Sequence, residues 1–352
     1  MEVSPVAPES TTALRRLLAT REASVLGALA VTVIAASFWV DGFASGRNTG
    51  FLVLDIAAIA IIALPMTLII ITGEIDLSVA SILGLTSAVM GQLWVMGLPL
   101  ETIVPLCVVL GVVLGAVNGL LVTVAGLPSL AVTIGTMALY RGLAYVVLGD
   151  RAVADFPFSW TGGATARLGE TQIPWIALLI IVLALAFGVV LHATPVGRAL
   201  YAIGNNDEAA RFSGISVQRT KLGLFVTSGA VSAAAGVFWT LQYASARADN
   251  AAGLELSVVA AVLLGGVSIF GGSGALAGVV GGVLLLGTIR NALQLADVSS
   301  DTLSIVTGLL LVVSVVVPNV AARLRQRRRT TAPPPGRAVT PSPNTRTKQE
   351  VI

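Results

Sequence analysis

Two carboxylates stand two residues apart in the stretch TGEIDLSVASILGL (residues 72–85), Glu74 and Asp76, with apolar sequence on both sides. An acid placed this way can do three kinds of work. It can cap a helix, accepting from free backbone N–H groups at the positive end of the helix dipole. It can line a polar path through apolar surroundings, or it can carry a proton or cation. A second acid, Glu255, stands in LELSVVAAVLLGG (254–266). The two stretches align, Asp76 with Glu255, Leu77 with Leu256, Ser78 with Ser257 and Val79 with Val258. Asn118, Arg141, Arg290, Asn291 and Gln294 are further polar side chains inside apolar runs. A charge stranded in hydrocarbon is expensive, so each of these must be capped, paired or wet. Arg290 must meet a carboxylate, carbonyls or water, or else reach out to the interface.

Other chemistries are excluded. The two lysines, Lys221 and Lys348, each follow a threonine, so no phosphate loop ending in Gly-Lys is possible. There is no HExxH and no Gly-x-Ser-x-Gly, and the single histidine, His192, has no defensible partner for nucleophilic catalysis. Cys107 is the single cysteine, which rules out an intramolecular disulfide and a thiolate metal cage. No catalytic residue, metal or cofactor is expected, and nothing asks for nucleic acid.

The elements that must position the acids are membrane spans. Of the 352 residues, 55% are hydrophobic and 11% charged, where soluble domains carry about a quarter charged. The charges cluster in short segments, and between them run apolar stretches of about 17–25 residues, the length that crosses a bilayer core. Ten spans are predicted: 24–40, 51–72, 78–96, 102–124, 129–148, 173–192, 221–242, 255–271, 275–296 and 302–318. Two of these, 78–96 and 255–271, start at an acid and are rich in Ser, Ala and Gly, so either can be a broken or re-entrant helix.

Lys and Arg are retained on the cytoplasmic side. Arg15, Arg16 and Arg21, then Arg198, Arg211, Arg219 and Lys221, then the tail RLRQRRR all fall inside if the N-terminus is inside. Trp39, Trp94, Trp175 and Trp239 then all fall at outer span ends, where amphipathic rings favour the interface. The chain is therefore expected to be N-in and C-in. Residues 1–23 read as a retained cytoplasmic segment and 319–352 as a basic, Pro-rich disordered tail, whose first part could attract anionic lipid.

With ten spans, each aligned acid starts the third span of a five-span half. Five is odd, so the halves enter the membrane from opposite sides. The expectation is an all-α integral membrane protein of two inverted halves, a transporter architecture with the path at the repeat interface. Asp76, Ser78, Asn118, Glu255, Ser257 and Asn291 are the candidate pathway or helix-break residues. The glycine sets GVVLGAVNG (111–119) and GALAGVVGGVLLLG (274–287) allow close helix packing.

The inner segment 194–221, TPVGRALYAIGNNDEAARFSGISVQRTK, is far longer than a turn needs. GNND reads as a turn and N-cap, EAARF as one or two helical turns, and SG as a stop. It is either an amphipathic connector or a surface that a partner grips. Here a resemblance becomes specific. TPVGRALYAIGNNDEAARFSGI resembles the cytoplasmic coupling loop of the permease subunits of bacterial sugar-type ABC importers. GEIDLSVASILGL, LPSLAVTIGTMALYRGLAYVVLG and ELSVVAAVLLGGVSIFGGSGALAG resemble three further segments of that family, in the right order. ALPMTLIIITG with SIFGGSGALAG points within it to the rhamnose or autoinducer-2 branch. Glu74 departs from the family's usual glycine, and so does Ala80.

The resemblance implies two permeases, identical or related, attached to two ATPase subunits. An extracytoplasmic solute-binding protein delivers a sugar. It puts Gly204, Asn206, Glu208, Ala209, Ala210 and Gly214 at the ATPase contact, and makes the outer segment 149–172 either a docking surface for the binding protein or a solvated loop. The competing reading is an ion-coupled secondary transporter working through Asp76 and Glu255, which would not need the long inner loop.

Overall fold

In a computed structural model of the protein, the structure describes residues 21–299, 301–314 and 316. The helices are α1 (Arg21–Trp39), α2 (Gly46–Ile71), α3 (Val79–Val95), α4 (Leu100–Thr123), α5 (Ser129–Leu148), α6 (Phe158–Ala164) and α7 (Ile176–Ala193). They continue with α8 (Pro195–Asn205), α9 (Asp207–Phe212), α10 (Val217–Gln242), α11 (Leu254–Leu264), α12 (Leu276–Leu295) and α13 (Asp301–Ser314). Helices α2, α4, α5, α7, α10 and α12 are long and apolar enough to cross a membrane, whereas α1, α3, α11 and α13 are shorter apolar helices. These apolar helices fall on the segments read from the sequence. The tail 319–352, and most of segment 1–23, lie outside the described residues.

At the centre is α2. Almost all of its residues from Ile56 onward are buried, on every side of the helix, as befits a helix that is apolar all round. It packs on α10, α12, α7 and α11. The most extensive helix pair is α4 with α10. Its closeness comes from the predicted glycine stripe: a Cβ at Gly111, Gly115 or Gly119 would run into Gly229, Phe225 or Leu222 of α10. In the second set, Gly282 faces the Ala261 carbonyl of α11 and Gly287 faces Ile56 of α2. Without a hydrophobic force between helices in lipid, such close backbone approach is what holds them.

The connections sort to two ends of the bundle. At one end, residues 73–78 touch the start of α5, and the 265–275 segment touches α8 and the end of α2. At the other, residues 149–155 pair with the loop after α10, through Val153 and Ala246, and Trp94 Nε1 donates to the Asp155 carbonyl at 3.0 Å.

Of the two spans read as possibly broken, one is broken and the other is whole. The segment 255–271 is not one helix: α11 stops at Leu264, and residues 265–275 run on without helix. Only Gly265 and Val267 of this stretch are buried and Phe270 is 75% exposed, so its open backbone is satisfied by specific partners. Gly272 N–H donates to the Ile71 carbonyl at 2.9 Å, Ser268 N–H to the Ser273 carbonyl at 2.9 Å, and the Tyr201 hydroxyl to the Gly274 carbonyl at 2.7 Å. The segment 78–96 is the single helix α3, preceded by a non-helical stretch over 73–78.

Candidate functional site

The segment 194–221 holds two short helices in place of the single one read from sequence. Thr194 is extended and Pro195 opens α8 at its first turn, where a proline costs no hydrogen bond. Gly197, Leu200 and Ile203 are buried along one face of α8. At its end, a Cβ on Gly204 would collide with the Ile71 carbonyl and the Gly272 amide. Thus α8 is pressed backbone to backbone against the end of α2 and the open 265–275 segment.

The helix expected from EAARF forms as α9, Asp207–Phe212. The Asn206 side-chain oxygen accepts from Ala209 N–H at 2.8 Å, capping it. Its far end is a Schellman stop. Gly214 N–H donates to the Arg211 carbonyl and Ile215 N–H to the Ala210 carbonyl, with Gly214 at φ +85. Ala210 is buried with Ile203 and Val217, and Ile215 packs on that cluster. Glu208, Ala209, Arg211 and Phe212 point outward, and Phe212 is 85% exposed.

This short helix is tied to the bundle by a charge cluster. Lys221, in the second turn of α10, donates to Glu74 Oε1 at 2.6 Å and to Asp207 Oδ2 at 2.6 Å. Glu74 belongs to the non-helical stretch before α3, and Asp207 opens α9. Two residues beyond Glu74 lies Asp76, fully buried. Its Oδ1 accepts from Ser78 N–H at 3.0 Å and from the Ser78 hydroxyl at 2.6 Å, and its Oδ2 accepts from the Ser228 hydroxyl of α10 at 3.0 Å. The Ser78 oxygen in turn accepts from Asn118 Nδ2 at 2.8 Å, and the Tyr140 hydroxyl lies 3.3 Å from Asn118 Oδ1 and 3.0 Å from the Leu114 carbonyl. Two polar clusters, one tying α9 to α10 and Glu74 and the other tying the start of α3 to α4, α5 and α10, are therefore linked through the backbone between Glu74 and Asp76. The backbone of the break is also satisfied: Ile75 N–H donates to Ser129 Oγ, and Thr133 Oγ1 donates to the Ile75 carbonyl, each at 3.2 Å.

Such a network has no reactive centre. The hydroxyls on Asp76, from Ser78 and Ser228, are fully buried and out of reach of a substrate, and among the described residues no group of His, Cys, Asp and Glu could hold a metal ion. What it does is make the position of an exposed helix depend on the position of a buried helix start.

The family of permease components of branched-chain amino acid transport systems matches residues 48–315. This chain is a member of that family. The autoinducer 2 import system permease protein LsrD of Yersinia enterocolitica is 34% identical over 268 residues, covering 74% of this chain and 80% of that protein. The ribose import permease protein RbsC of Haemophilus influenzae is 35% identical over 263 residues, covering 74% and 81%. The LsrD of Escherichia coli K12 is 34% identical over 278 residues, covering 77% and 84%. No solved structure matches the chain. The permease is thus a multi-pass protein of the cytoplasmic membrane, and a transport subunit rather than an enzyme.

The predicted site residues divide into separate places in this permease. Gly204, Asn206, Glu208, Ala209, Ala210 and Gly214 gather at the α8–α9 end. Within that set Gly204 and Ala210 face inward, Asn206 and Gly214 shape the ends of α9, and Glu208 and Ala209 form its outer face. Asp76, Ser78 and Asn118 meet in the buried network. Glu255 and Ser257 lie in the first turn of α11, near the opposite end, and one carboxyl oxygen of Glu255 is buried with no hydrogen-bond partner among the described residues. Asn291 belongs to neither group. It exchanges amide hydrogen bonds of 2.8 and 3.0 Å with Asn48, pinning α12 to the start of α2.

Arg141 is a clamp: its guanidinium donates to the carbonyls of Ala248, Asn250 and Ala80 at 2.7, 2.9 and 3.1 Å, so the loop after α10 is folded down onto α3. Cys107 is buried in protein with its sulfur 3.9 Å from the Thr86 carbonyl. Sequence reasoning passed over Lys221 as a site residue, because nothing local joins it to Glu74, 147 positions away. It also passed over Phe212, although an aromatic ending a capped short helix was a visible signal.

Proposed function

We propose that this chain is the membrane-spanning subunit of an ATP-driven importer of a monosaccharide or a related small polyol. In this reading the α8–α9 end is cytoplasmic, with both termini inside, and α9 is the handle gripped by a separate ATPase subunit. The observation that carries it is α9 itself: a helix capped at both ends, with Glu208, Arg211 and Phe212 displayed on its open face and Asp207 bound through Lys221 to the start of α3. An exposed aromatic ringed by charges is the composition of an interface anchor. A push on this rigid helix reaches Glu74 and, through the adjoining backbone, the Asp76 network.

The two inverted five-helix halves are supported by an exchange of packing partners. Helix α4 lies on α10 as α12 lies on α2, and α3 touches α10 as α11 touches α2. The first helix of each half departs from it, since α1 packs on α12 and α7 on α2. Two permeases, two ATPases and an extracytoplasmic binding protein complete the machine, with residues 149–172 as the docking surface for the last. The class of substrate rests on the ribose and autoinducer 2 import permeases among the relatives. Ion coupling through Asp76 is disfavoured by its surroundings, because the carboxylate is closed off by three donors from Ser78 and Ser228.

The test is co-purification. Glu208→Lys and Phe212→Ala are each expected to lose the co-expressed ATPase subunit while the permease still reaches the membrane in normal amount. Unchanged association in both variants refutes the handle.

A further inference from the structure

At the end of the bundle opposite α9 the structure holds a polar cavity of about 560 Å³ between the loop after α10 and helices α10 to α13. A smaller one of about 150 Å³ adjoins it, reaching α2. The two share Trp239, Leu254, Arg290 and Gln294 as common walls. The larger volume lies in the range of small-molecule sites, roughly 300–1,000 Å³.

Two charges from within spanning helices face this space, Arg290 lining both cavities and Asp55 the smaller one. Asp55 is nine residues into α2, about 13 Å along the axis, and is solvent-exposed there. Arg290 is in the last two turns of α12 and donates to the Ser257 hydroxyl at 3.3 Å. It forms no ion pair among the described residues. The Asp55 carboxylate has the Tyr243 hydroxyl at 3.4 Å. An acid and a base at membrane depth ordinarily close on each other, since an unpaired charge there is costly. Here they line one small cavity without meeting, so a polar guest placed between them can hydrogen-bond to both.

The surrounding walls narrow the choice. Asp55 and Arg290 cancel in charge, as do Arg247 and Asp249, which pair at 2.8 Å on the wall of the larger cavity, and this balance suits an uncharged guest over an anion or cation. Gln294, one turn from Arg290, adds a donor and an acceptor. Trp239, in the last turn of α10, and Tyr243, just past its end, have ring centroids 4.9 Å apart, giving flat apolar faces beside the polar set. Alternating donors and acceptors next to an aromatic face are what a pyranose or furanose ring presents a need for: hydroxyls around its edge and C–H groups on its face.

We infer that this cavity is the substrate subsite of the permease, holding a neutral monosaccharide with Asp55 accepting from its hydroxyls, Arg290 and Gln294 donating to them, and Trp239 against the ring. The inference rests on the importer reading and adds where the sugar is held. A branched-chain amino acid would be the competing guest, its ammonium on Asp55 and its carboxylate on Arg290. Ile56, Ile59 and Leu254 give the smaller cavity an apolar wall, but the further polar side chains around the larger one, Asn250, Ser257 and Thr307, favour the sugar.

The test uses the full chain in right-side-out membrane vesicles. The lone Cys107 is replaced by Ser, and Gln294→Cys or, independently, Thr307→Cys supplies a reporter thiol. A charged, membrane-impermeant thiosulfonate is added outside. Both thiols are expected to react, and ribose or rhamnose is expected to slow the reaction about tenfold at about ten times its dissociation constant, as occupancy requires. Asp55→Asn is expected to remove this protection without preventing labelling. Silent thiols, labelling that neither sugar slows, or slowing by leucine alone overturns the subsite. ATPase co-purification measured on the same membranes separates the two readings. If it persists while protection fails, the subsite falls and the importer stands; if both fail, the importer reading falls too.

Discussion

Replacing Lys221 by Met removes the cation that Glu74 and Asp207 share, each at 2.6 Å. The side chains of Lys221, Glu74 and Asp207 are 10%, 17% and 41% exposed. Breaking a buried ion pair from one side costs about 3–5 kcal/mol, whereas an exposed pair is worth about 0–1 kcal/mol. Glu74 is nearer the first case and Asp207 nearer the second, so Lys221→Met is expected to destabilise by about 2–4 kcal/mol, mostly through the stranded Glu74. The measurement is reversible unfolding of the purified permease in mixed micelles on titration with SDS, in two double-mutant cycles. Glu74→Gln combined with Lys221→Met should recover much of the loss, with a coupling energy of about 1.5–3 kcal/mol. Asp207→Asn with Lys221→Met should show about 0.5 kcal/mol. The same variants in the assembled transporter should hydrolyse ATP with less solute moved per ATP, since the handle has lost its tie to α3. A Glu74–Lys221 coupling no larger than that of Asp207–Lys221 would refute the reasoning, as would unchanged solute per ATP in Lys221→Met.

Gly204→Ala places a methyl group on the Ile71 carbonyl and the Gly272 amide, both backbone, and is expected to lower the yield of monodisperse protein in gel filtration. Gly223→Ala on α10, which meets nothing within 4 Å, should leave that yield unchanged. Asp76→Asn keeps the shape of the buried cap but weakens its hydrogen bonds to Ser78 and Ser228. In proteoliposomes, uptake by this variant is expected to stay ATP-driven and indifferent to a proton gradient, and uptake that follows the gradient without ATP would restore the ion-coupled alternative.

Much of the site was legible wherever its cause is local. Asn206 and Gly214 bracket α9 because a side-chain cap and a left-handed stop act within three or four residues, so the pattern NDEAARFSG carries its own boundaries. The glycine spacing of 111, 115 and 119 likewise foretold a helix seam, since residues four apart lie on one face. The position of the α11 break was less legible: the apolar run from 255 to 271 has the hydropathy of a span, and the glycines that stop it read equally well as packing residues.

Composition and periodicity were sufficient, on their own, for a chain threaded through lipid with a capped helix on one connection, because hydropathy over a helix length and capping over a single turn depend on neighbours in the chain. The tertiary structure alone decided that Lys221 reaches Glu74 across 147 positions, that Asp76 is enclosed by Ser78 and Ser228, and that Asp55 and Arg290 face one space without touching. Those facts depend on which helices lie side by side and at what height. A single charge in an apolar run says only that a partner is required, and packing chooses the partner.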